Sequence, residues 1–436
     1  MTALPAMFKS KVISVEDAVA KIQSNFDIIV AQAASEPQTC MARFHDVAER
    51  VENVRVFSVL TLNPYPFFMT ADMRGHFELC SWFHSAPARQ ALKDHAGTVT
   101  FVPNMLHKAA IDRMHVKRPD IFFGTCTPPD KHGFVSLSLG ITYERDFLEN
   151  AAMVILEVNP QLPRTFGETH VHVSEVDFFV ETNNAPPALP STTPDTTELA
   201  IGGHIAELVQ DGSTLQLGIG GIPNAVAQGL RDKKDLGVHT EMMVDSMVDL
   251  YEAGVITNRR KTLVKNKIVC TFAMGSPRLY EWLHDNVAVE FRRGAWVNDP
   301  AVIRQNSRMV SINTCLMVDL MGQVASESLG PVQYSGTGGQ MDTAVGAQEG
   351  TDGLGKSIIA CRSTAKGGTT STIVPTLPEG SAVTLHRSYC DIVVTEHGAA
   401  RLRGRTIRER ARALVAIADP RFREKLTADA VRLGFL

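Results

Sequence analysis

A glutamate that follows a glycine-rich turn is the residue of this sequence with the clearest chemical potential. Glu241 lies 23 residues after Gly218, the first glycine of the stretch GIGGIP. Glycines permit a sharp turn and a close approach to a ligand, and the free N–H groups of a helix start attract negative charge. A carboxylate facing such a turn can attack a thioester carbonyl, with Gly220 and Gly221 stabilising the oxyanion. The same N–H groups should favour the ionised form that a nucleophile needs.

On the residues alone, two other interpretations of this pattern stay open. A strand, a glycine-rich turn, a helix and an acidic residue about 20 positions later also describe a dinucleotide-binding unit, although Pro223 takes the place of the third glycine in that fingerprint. Alternatively, Glu241 is an ordinary helix-entry residue, because the helical pattern MVDSMVDLYEAG follows it and acidic side chains stabilise a first turn.

A second motif, GTDGLGKS at residues 350–357, fits the phosphate-binding loop pattern at every fixed position. That loop needs a strand before it and a helix after it. Here the upstream GGQMDTAVGAQE lacks apolar alternation, and the downstream KSIIACRST is a strand pattern. We therefore predict a loop that leads into a strand from Ser357 to Cys361, with Lys356 at its start. A nucleotide-dependent protein is the weakest of the functional alternatives.

The composition is that of an ordinary globular chain with two or three domains: 436 residues, 44% hydrophobic and 21% charged. A formal charge of -4 does not favour a nucleic-acid partner. The seven cysteines include no C-x-x-C pair, which indicates reduced thiols. No stretch has the pattern of a signal peptide or the roughly 18 apolar residues of a membrane span. We expect a cytoplasmic protein without a membrane partner.

Two further patterns have a structural explanation. His170 and His172 alternate on a predicted strand without a cluster of cysteines or carboxylates at ligand spacing, so no metal site is expected. The basic run RLRGRTIRERARAL, residues 401–414, has apolar residues at helical spacing. It is typical of a surface helix with a solvated face.

The elements that must position Glu241 alternate between strand and helix patterns, which is typical of α/β architecture. Residues 181–198 contain four prolines and no periodicity, which predicts a linker. The predicted plan is a domain over 1–182, a linker over 183–197 and a domain over 198–436. The strand patterns are FDIIVAQA, VRVFSVL, GTVTFVP and AAMVILEV before the linker, then STLQLGIG, KIVCTFAM, SAVTLH and CDIVVTE after it.

A faint repeat relates the two halves. Each contains a strand, a small-residue turn, a proline at a helix start (Pro37 and Pro223), an amphipathic helix and a second strand. Two similar α/β halves are therefore predicted, and only the second carries the glycine-rich turn.

Five ordered blocks between Leu217 and Pro375 resemble the acetyl-CoA hydrolase/transferase family of class I CoA-transferases, in particular its 4-hydroxybutyrate, butyryl and itaconate CoA-transferase branch. They are LGIGGIPNAVAQGL, DLGVHTEMMVDSMVDLYEAGVITN, VDLMGQVASES, SGTGGQMD and GKSIIACRSTAKGGTTSTIVP. TPPDKHGFVSLSLG and VNPQLPRTFGET extend the likeness into the first half. The resemblance implies two similar α/β domains of the CoA-transferase type with the active site in the cleft between them, and Glu241 as the nucleophile.

The resemblance also implies binding positions. Those for CoA are Gln216, Leu217, Gly218, Ile219, Gly220, Gly339 and Lys366. Those for the acyl group or carboxylate are Glu36, Gln38 and Arg89. Gln323, Ser326 and Glu327 either line the cleft or form an ordinary turn.

The reaction that the resemblance implies is transfer of CoA from a short acyl-CoA to a small carboxylic acid, in a ping-pong cycle through a glutamyl-CoA thioester on Glu241. Acyl-CoA and CoA take part as substrates, and no tightly bound cofactor or metal is implied. Hydrolysis at the same intermediate is the alternative activity. A homodimer or higher homo-oligomer is expected from the family and from the prevalence of symmetric assemblies.

Overall fold

The computed structural model describes residues 3–94, 97–190 and 192–436, and the chain separates into two compact units. The first comprises the residues up to Leu189 together with Cys270–Trp296, and the second comprises Pro190–Val269 and Val297–Leu436. The first boundary lies within the predicted linker, of which Ser191 is outside the described residues. The predicted domain plan does not include the return of Cys270–Trp296 to the first unit.

The first unit is built on a seven-stranded parallel sheet. Its strands are β1 (Asp27–Val30), β2 (Val54–Ser58), β3 (Phe77–Ser81), β4 (Val99–Phe101), β5 (Ile121–Cys126), β6 (Met153–Val158) and β7 (Phe178–Glu181). The order across the sheet is β4-β3-β2-β1-β5-β6-β7. Every residue of β1 and β5 is buried, as expected for parallel strands that are covered on both faces.

Short helices cover this sheet. In the first unit they are Ala3–Ser10, Val15–Val19, Gln38–Met41, Pro66–Met69, Ala86–Lys93, Ala109–Val116, Glu144–Leu148 and Pro277–Leu283. The 3-10 turns are Ala33–Ser35, Phe44–Arg50, Ala71–Met73, Leu106–Lys108 and Val173–Glu175. A two-stranded antiparallel ladder pairs Phe134–Ser136 with His170–His172. The core beneath the helices is rich in aromatic rings, with Phe44 stacked on Phe77 and tilted against Phe67 and Phe123.

The second unit is built on a six-stranded sheet. Its strands are β8 (Thr214–Leu217), β9 (Gly237–Val238), β10 (Met309–Thr314), β11 (Lys356–Ala360), β12 (Ile392–Thr395) and β13 (Gly398–Arg401). The order is β9-β8-β10-β11-β12-β13, and the pairs are parallel except for β12 with β13. In both units the first strand of the sheet lies in the interior of that sheet, and later strands are added on both sides of it.

The helices of the second unit are Thr196–Leu208, Gly221–Gly229, Asp245–Glu252, Pro300–Ile303, Gln340–Gln348, Ile407–Ile417 and Pro420–Arg432. Its short strands include Met317–Asp319, Val324–Ala325, Ser328–Leu329, Val332–Gln333, Thr364–Ala365, Thr370–Ser371 and Ile373–Val374. The remaining short elements of the chain are Met242–Met243, Ile268–Cys270, Phe272–Ala273, Val289–Phe291 and Gly294–Val297. Among the described residues, no helix combines the length and the apolar character needed to cross a bilayer.

Most of the predicted elements are confirmed, with two corrections. The pattern SAVTLH is not a strand: only Leu385 makes an isolated bridge, to Val324. The repeat holds for the strand order but not for the helix, because the first half has only the four-residue helix Gln38–Met41 where the second has Gly221–Gly229. The basic run does form a surface helix, Ile407–Ile417, with Leu414 and Ile417 buried.

The motif at residues 350–357 has the neighbours predicted from its flanking residues. The helix Gln340–Gln348 precedes it and strand β11 follows it, which is the reverse of the order in a phosphate-binding loop. Lys356 is the first residue of β11. The resemblance of this stretch to a nucleotide site is therefore a coincidence of sequence.

Candidate active site

The glycine-rich turn and Glu241 lie where the order of the second sheet reverses. Strand β8 has β9 on one side and β10 on the other, so its carboxyl end is a topological switch point. Ligands of open α/β sheets bind at such points, beyond the carboxyl ends of the strands. The turn that begins at Gly218 follows β8, and Glu241 comes shortly after the end of β9.

The backbone before Glu241 is fixed to β8. The His239 N–H donates to the Leu215 carbonyl at 3.0 Å. The Thr240 hydroxyl accepts from the Leu217 N–H at 3.4 Å and bonds to the Leu217 carbonyl at 3.3 Å. The helix Asp245–Glu252 begins four residues later, with Asp245 as the acidic residue of its first turn. The interpretation of Glu241 as a helix-entry residue is therefore wrong.

Two donors contact the carboxylate of Glu241. Asn298 Nδ2 donates to Glu241 Oε2 at 3.0 Å, and the backbone N–H of Gly339 donates to the same side chain. Asn298 is fully buried, and its neighbour Val297 is anchored through its carbonyl to His239 Nε2 at 2.8 Å. A methyl group on Gly339 would lie less than 3.0 Å from both Glu241 Oε2 and Asn298 Nδ2. Only glycine allows the backbone to approach the carboxylate this closely.

The pKa of Glu241 is raised to about 7, mainly by burial of the carboxylate. The negative charge of Asp342 raises it further, whereas the Asn298 amide and the Gly339 N–H lower it. The N–H groups were expected to keep this carboxyl ionised. That expectation is wrong for the net shift of the pKa, because burial outweighs the two hydrogen bonds. A carboxylate with a pKa near neutrality is a stronger nucleophile than one with an ordinary pKa, and about half remains ionised at pH 7.

The glycine-rich turn is open on one side and filled on the other. Gly220, with φ of 110°, caps the helix that starts at Gly221. An added Cβ at Gly218 or Gly220 would meet nothing within 4 Å. By contrast, Gly221 packs directly against the carboxylate of Glu198, which Arg362 holds in an ion pair at 3.0 Å. An anionic guest therefore has room beside Gly218 and Gly220, whereas the Cβ side of Gly221 already faces a carboxylate.

The remaining residues implied to bind CoA differ in accessibility. Gln216 is buried, and its amide oxygen accepts from Ser311 Oγ at 3.1 Å and from the Ile312 N–H at 3.2 Å. Leu217 is buried, whereas Ile219 is 43% exposed. Lys366 is exposed at the tip of the hairpin Thr364–Ala365/Thr370–Ser371, where its φ of 50° is left-handed. The hairpin thus presents an ammonium group to solvent.

Sequence reasoning missed Asn298 and left Glu327 undecided. Asn298 belongs to no motif and lies 57 residues from Glu241. Glu327 is buried and accepts from the Thr337 and Thr384 hydroxyls, each at 3.1 Å. Its carbonyl also accepts the N–H groups of Tyr334 and Ser335, so it holds the loop that leads to Gly339.

Gln323 and Ser326 behave as residues of ordinary turns. Gln323 donates to Asp319 Oδ2 at 2.7 Å, and the Ser326 N–H donates to Thr384 Oγ1 at 3.0 Å.

The three first-half candidates lie beyond the carboxyl ends of β1 and β3. Glu36 is buried and accepts from Asn63 Nδ2 at 2.9 Å, from Tyr65 OH at 3.0 Å and from the Leu62 N–H. Burial raises its pKa to about 8. Gln38 donates to the Ala185 carbonyl at 3.1 Å, and Arg89 donates to the His84 carbonyl at 2.9 Å. Glu36 is thus enclosed by its own donors, and Gln38 and Arg89 each bind a backbone carbonyl.

Two family models together match most of the chain. Residues 4–190 match the acetyl-CoA hydrolase/transferase N-terminal domain, and residues 275–430 match the C-terminal domain. The chain is 42% identical to a succinyl-CoA:cyclohexane-1-carboxylate CoA transferase of Geobacter metallireducens, over 98% of this chain and 96% of the relative. It is 40% identical to a 4-hydroxybutyrate coenzyme A transferase of Clostridium kluyveri, over 96% and 97%.

The crystal structure of RipA from Yersinia pestis is 34% identical and covers 100% of both chains, with a TM-score of 0.93. An acetyl-CoA hydrolase of Neurospora crassa aligns less fully, with 27% identity over 69% of this chain and 63% of its own.

Proposed function

Because the chain belongs to the acetyl-CoA hydrolase/transferase family, we propose that it is a CoA-transferase that moves CoA from a short-chain acyl-CoA to a small carboxylate. The observation that carries this proposal is the carboxylate of Glu241, held by Asn298 Nδ2 and the Gly339 N–H at the switch point of the second sheet. A carboxylate fixed in this way has the reactivity of a nucleophile and the donors to stabilise its adducts.

The proposed cycle has two half-reactions. Glu241 attacks the thioester carbonyl of the donor, which gives an acyl-glutamyl anhydride and the thiolate of CoA. The thiolate then attacks the glutamyl carbonyl and displaces the donor acid, leaving a glutamyl-CoA thioester. The acceptor carboxylate reverses both steps and leaves as the new acyl-CoA.

Each attack on the glutamyl carbonyl places negative charge on an oxygen of Glu241. Asn298 Nδ2 and the Gly339 N–H already donate to this side chain, so they are the donors best placed for that charge. For the charge on the donor's carbonyl oxygen we propose Gly220 and Gly221. The open space beside Gly220 favours it for this role, whereas the carboxylate of Glu198 beside Gly221 acts against an anion there.

For the substrates, we propose that CoA lies along residues 216–220, Gly339 and Lys366. Glu36, Gln38 and Arg89 are proposed for the acyl side. Acetyl-, butyryl- and succinyl-CoA are the proposed donors, and 4-hydroxybutyrate, butyrate and itaconate the proposed acceptors. The names of the two relatives support succinyl-CoA as a donor and 4-hydroxybutyrate as an acceptor. We also propose a cytoplasmic homo-oligomer, in keeping with the prevalence of symmetric assemblies and with seven cysteines that form no disulfide in the described part of the chain.

Exchange of CoA between acyl-CoA and a panel of carboxylates, measured without ATP, tests this function. The expected result is reversible exchange with ping-pong kinetics. Exchange that depends on ATP, or irreversible hydrolysis alone, would overturn the proposal, and the second result would favour the hydrolase alternative.

Borohydride trapping tests the intermediate. After addition of acyl-CoA, borohydride should reduce the thioester and inactivate the enzyme, with the modification on the peptide that contains Glu241. Glu241→Gln should abolish exchange, whereas Glu379→Gln, at an exposed glutamate of the same unit, should retain it. Modification of another residue, or inactivation without acyl-CoA, would reject the assignment.

A further inference from the structure

Cys315 and Cys361 leave neighbouring parallel strands at the same level. Strand β10 ends at Thr314 and strand β11 ends at Ala360, and these two residues are partners in the register. Each cysteine directly follows the last residue of its strand. The Cys315 N–H donates to the Ala360 carbonyl at 3.2 Å, which extends the ladder by one step and keeps the cysteines side by side.

The two thiols face each other. Their side chains share a hydrogen bond, and the Thr372 hydroxyl lies 3.7 Å from Cys361 Sγ. Adjacent strands are about 4.8 Å apart. That spacing lies within the range of about 4.4 to 6.8 Å between the Cα atoms of a disulfide. Neither strand therefore has to move far for the two sulfurs to bond.

The two cysteines differ in access to solvent. Cys361 is 3% exposed, whereas Cys315 is only partly buried. Cys390 lies nearby in the apolar core of the same unit and is 1% exposed. Of the two residues, Cys315 is therefore the one through which a small oxidant has the shorter way to the pair.

We propose that Cys315 and Cys361 form a reversible oxidation site, at which a hydroperoxide converts the two thiols into a disulfide. The Cys315 sulfur attacks the peroxide, which breaks the O–O bond, releases water and leaves a sulfenic acid. The Cys361 sulfur then attacks Cys315, forms the S–S bond and displaces a second water. Two thiols lose two electrons and two protons, and one hydrogen peroxide is reduced to two waters.

Access to solvent selects Cys315 for the first step, although its raised pKa slows that step, whereas the environment of Cys361 favours the second step. The hydrogen bond from Cys315 lowers the pKa of Cys361 and raises the pKa of Cys315. Cys361 is therefore the better thiolate for the second step, in which the nucleophile attacks from inside the protein. The Thr372 hydroxyl lies 3.7 Å from Cys361 Sγ, but it donates its single proton to the Arg362 carbonyl at 2.6 Å.

Peptide mapping of the full-length folded protein tests the site. Protein treated with hydrogen peroxide and then alkylated should yield a peptide pair linked through Cys315 and Cys361, lighter by two hydrogens than the reduced pair. A dithiol reductant should restore both free thiols. Cys315→Ser and Cys361→Ser should each remove the linked pair, whereas Cys390→Ser should retain it as the matched control.

Two results would overturn the proposal. One is a linkage of either cysteine to Cys390 in place of the expected pair. The other is peroxide treatment that gives only sulfinic or sulfonic acid at Cys315 and no crosslink. Mapping of the unsubstituted protein decides between these outcomes even where a serine variant fails to fold, and it needs no enzymatic activity.

Discussion

Replacing Gly339 by alanine is the sharpest test of how the site holds Glu241. Gly339 has φ of -94° and ψ of 9°, a conformation that alanine adopts without strain. Its added methyl group would lie less than 3.0 Å from both Glu241 Oε2 and Asn298 Nδ2, whereas ordinary contacts begin at 3.4 Å. The substitution therefore displaces the carboxylate and leaves the backbone conformation allowed.

The size of the effect follows from that displacement. Relief of the overlap requires the carboxylate to retreat by about 1 Å, which carries the 3.0 Å bond from Asn298 out of hydrogen-bond range. A misplacement of about 1 Å costs on the order of 100-fold in rate, and loss of a preorganised donor costs about 100- to 1,000-fold. We expect kcat/KM to fall at least about 100-fold, which is about 2.7 kcal/mol of transition-state stabilisation.

Steady-state exchange of CoA, measured beside thermal unfolding, provides the assay. Gly203→Ala is the matched control, because Gly203 lies inside the helix Thr196–Leu208 and an added Cβ there meets nothing within 4 Å. The control should keep full activity and gain about 0.5 to 1 kcal/mol of stability from helix propensity. Activity of Gly339→Ala within about threefold of the unsubstituted protein would refute the reasoning, as would an equal loss of activity in the control.

Four further predictions concern pH, buried carboxyls and the false phosphate loop. Because Glu241 must be ionised to attack and its pKa is about 7, kcat/KM should rise with pH through about 7. A midpoint near 4.5, the ordinary pKa of glutamate, would contradict the inference that burial raises the pKa of Glu241. Since folding raises the pKa of Glu36 to about 8, its stabilising contribution is complete below about 4.5 and is lost as pH rises through 8. Glu36→Gln should therefore flatten the fall of Tm between acidic and alkaline pH, and an unchanged slope would count against this. Glu327→Ala leaves the Thr337 and Thr384 hydroxyls without their acceptor and should lower the free energy of unfolding by about 2 to 4 kcal/mol in urea titrations. Glu327→Gln should lower it less. Equal stability of the two variants and the unsubstituted protein would argue against a supporting role. Lys356→Ala should leave exchange unchanged within about twofold, whereas a large loss restored by ATP would revive the phosphate-loop interpretation.

The elements around the turn were predictable because their signals are local. Strand β8, Thr214–Leu217, lies within the predicted pattern STLQLGIG, since a short apolar run ends at Gly218. The following helix begins at Gly221, two residues before the proline that was predicted at its start, because the N–H groups of a first helical turn have no acceptor within the helix and Gly221 and Pro223 are both tolerated there. The helix packs closely against the helix Thr196–Leu208, so packing as well as propensity fixes its position.

Other parts of the site depend on contacts between distant segments. The pattern SAVTLH has the apolar content of a strand but makes only the Leu385 bridge, whereas the central strand Met309–Thr314 was not predicted. Asn298 gives no signal in sequence, since its role comes from the fold that brings it to Glu241. The raised pKa of Glu241 likewise depends on burial and on Asp342, neither of which is a property of the motif.

The return of Cys270–Trp296 to the first unit constrains how the protein can be made. Gly140 bridges Phe272, Gly167 bridges Phe291, and the Gly294 N–H donates to the Thr142 carbonyl at 2.8 Å. On the ribosome, the first unit therefore cannot complete its hydrogen bonding until all of residues 190–269 have been synthesised. A single cut near residue 190 would leave the N-terminal fragment without Cys270–Trp296. The C-terminal fragment would carry that segment without the residues to which it bonds. The two units are interleaved along the chain, so isolated halves should fold poorly.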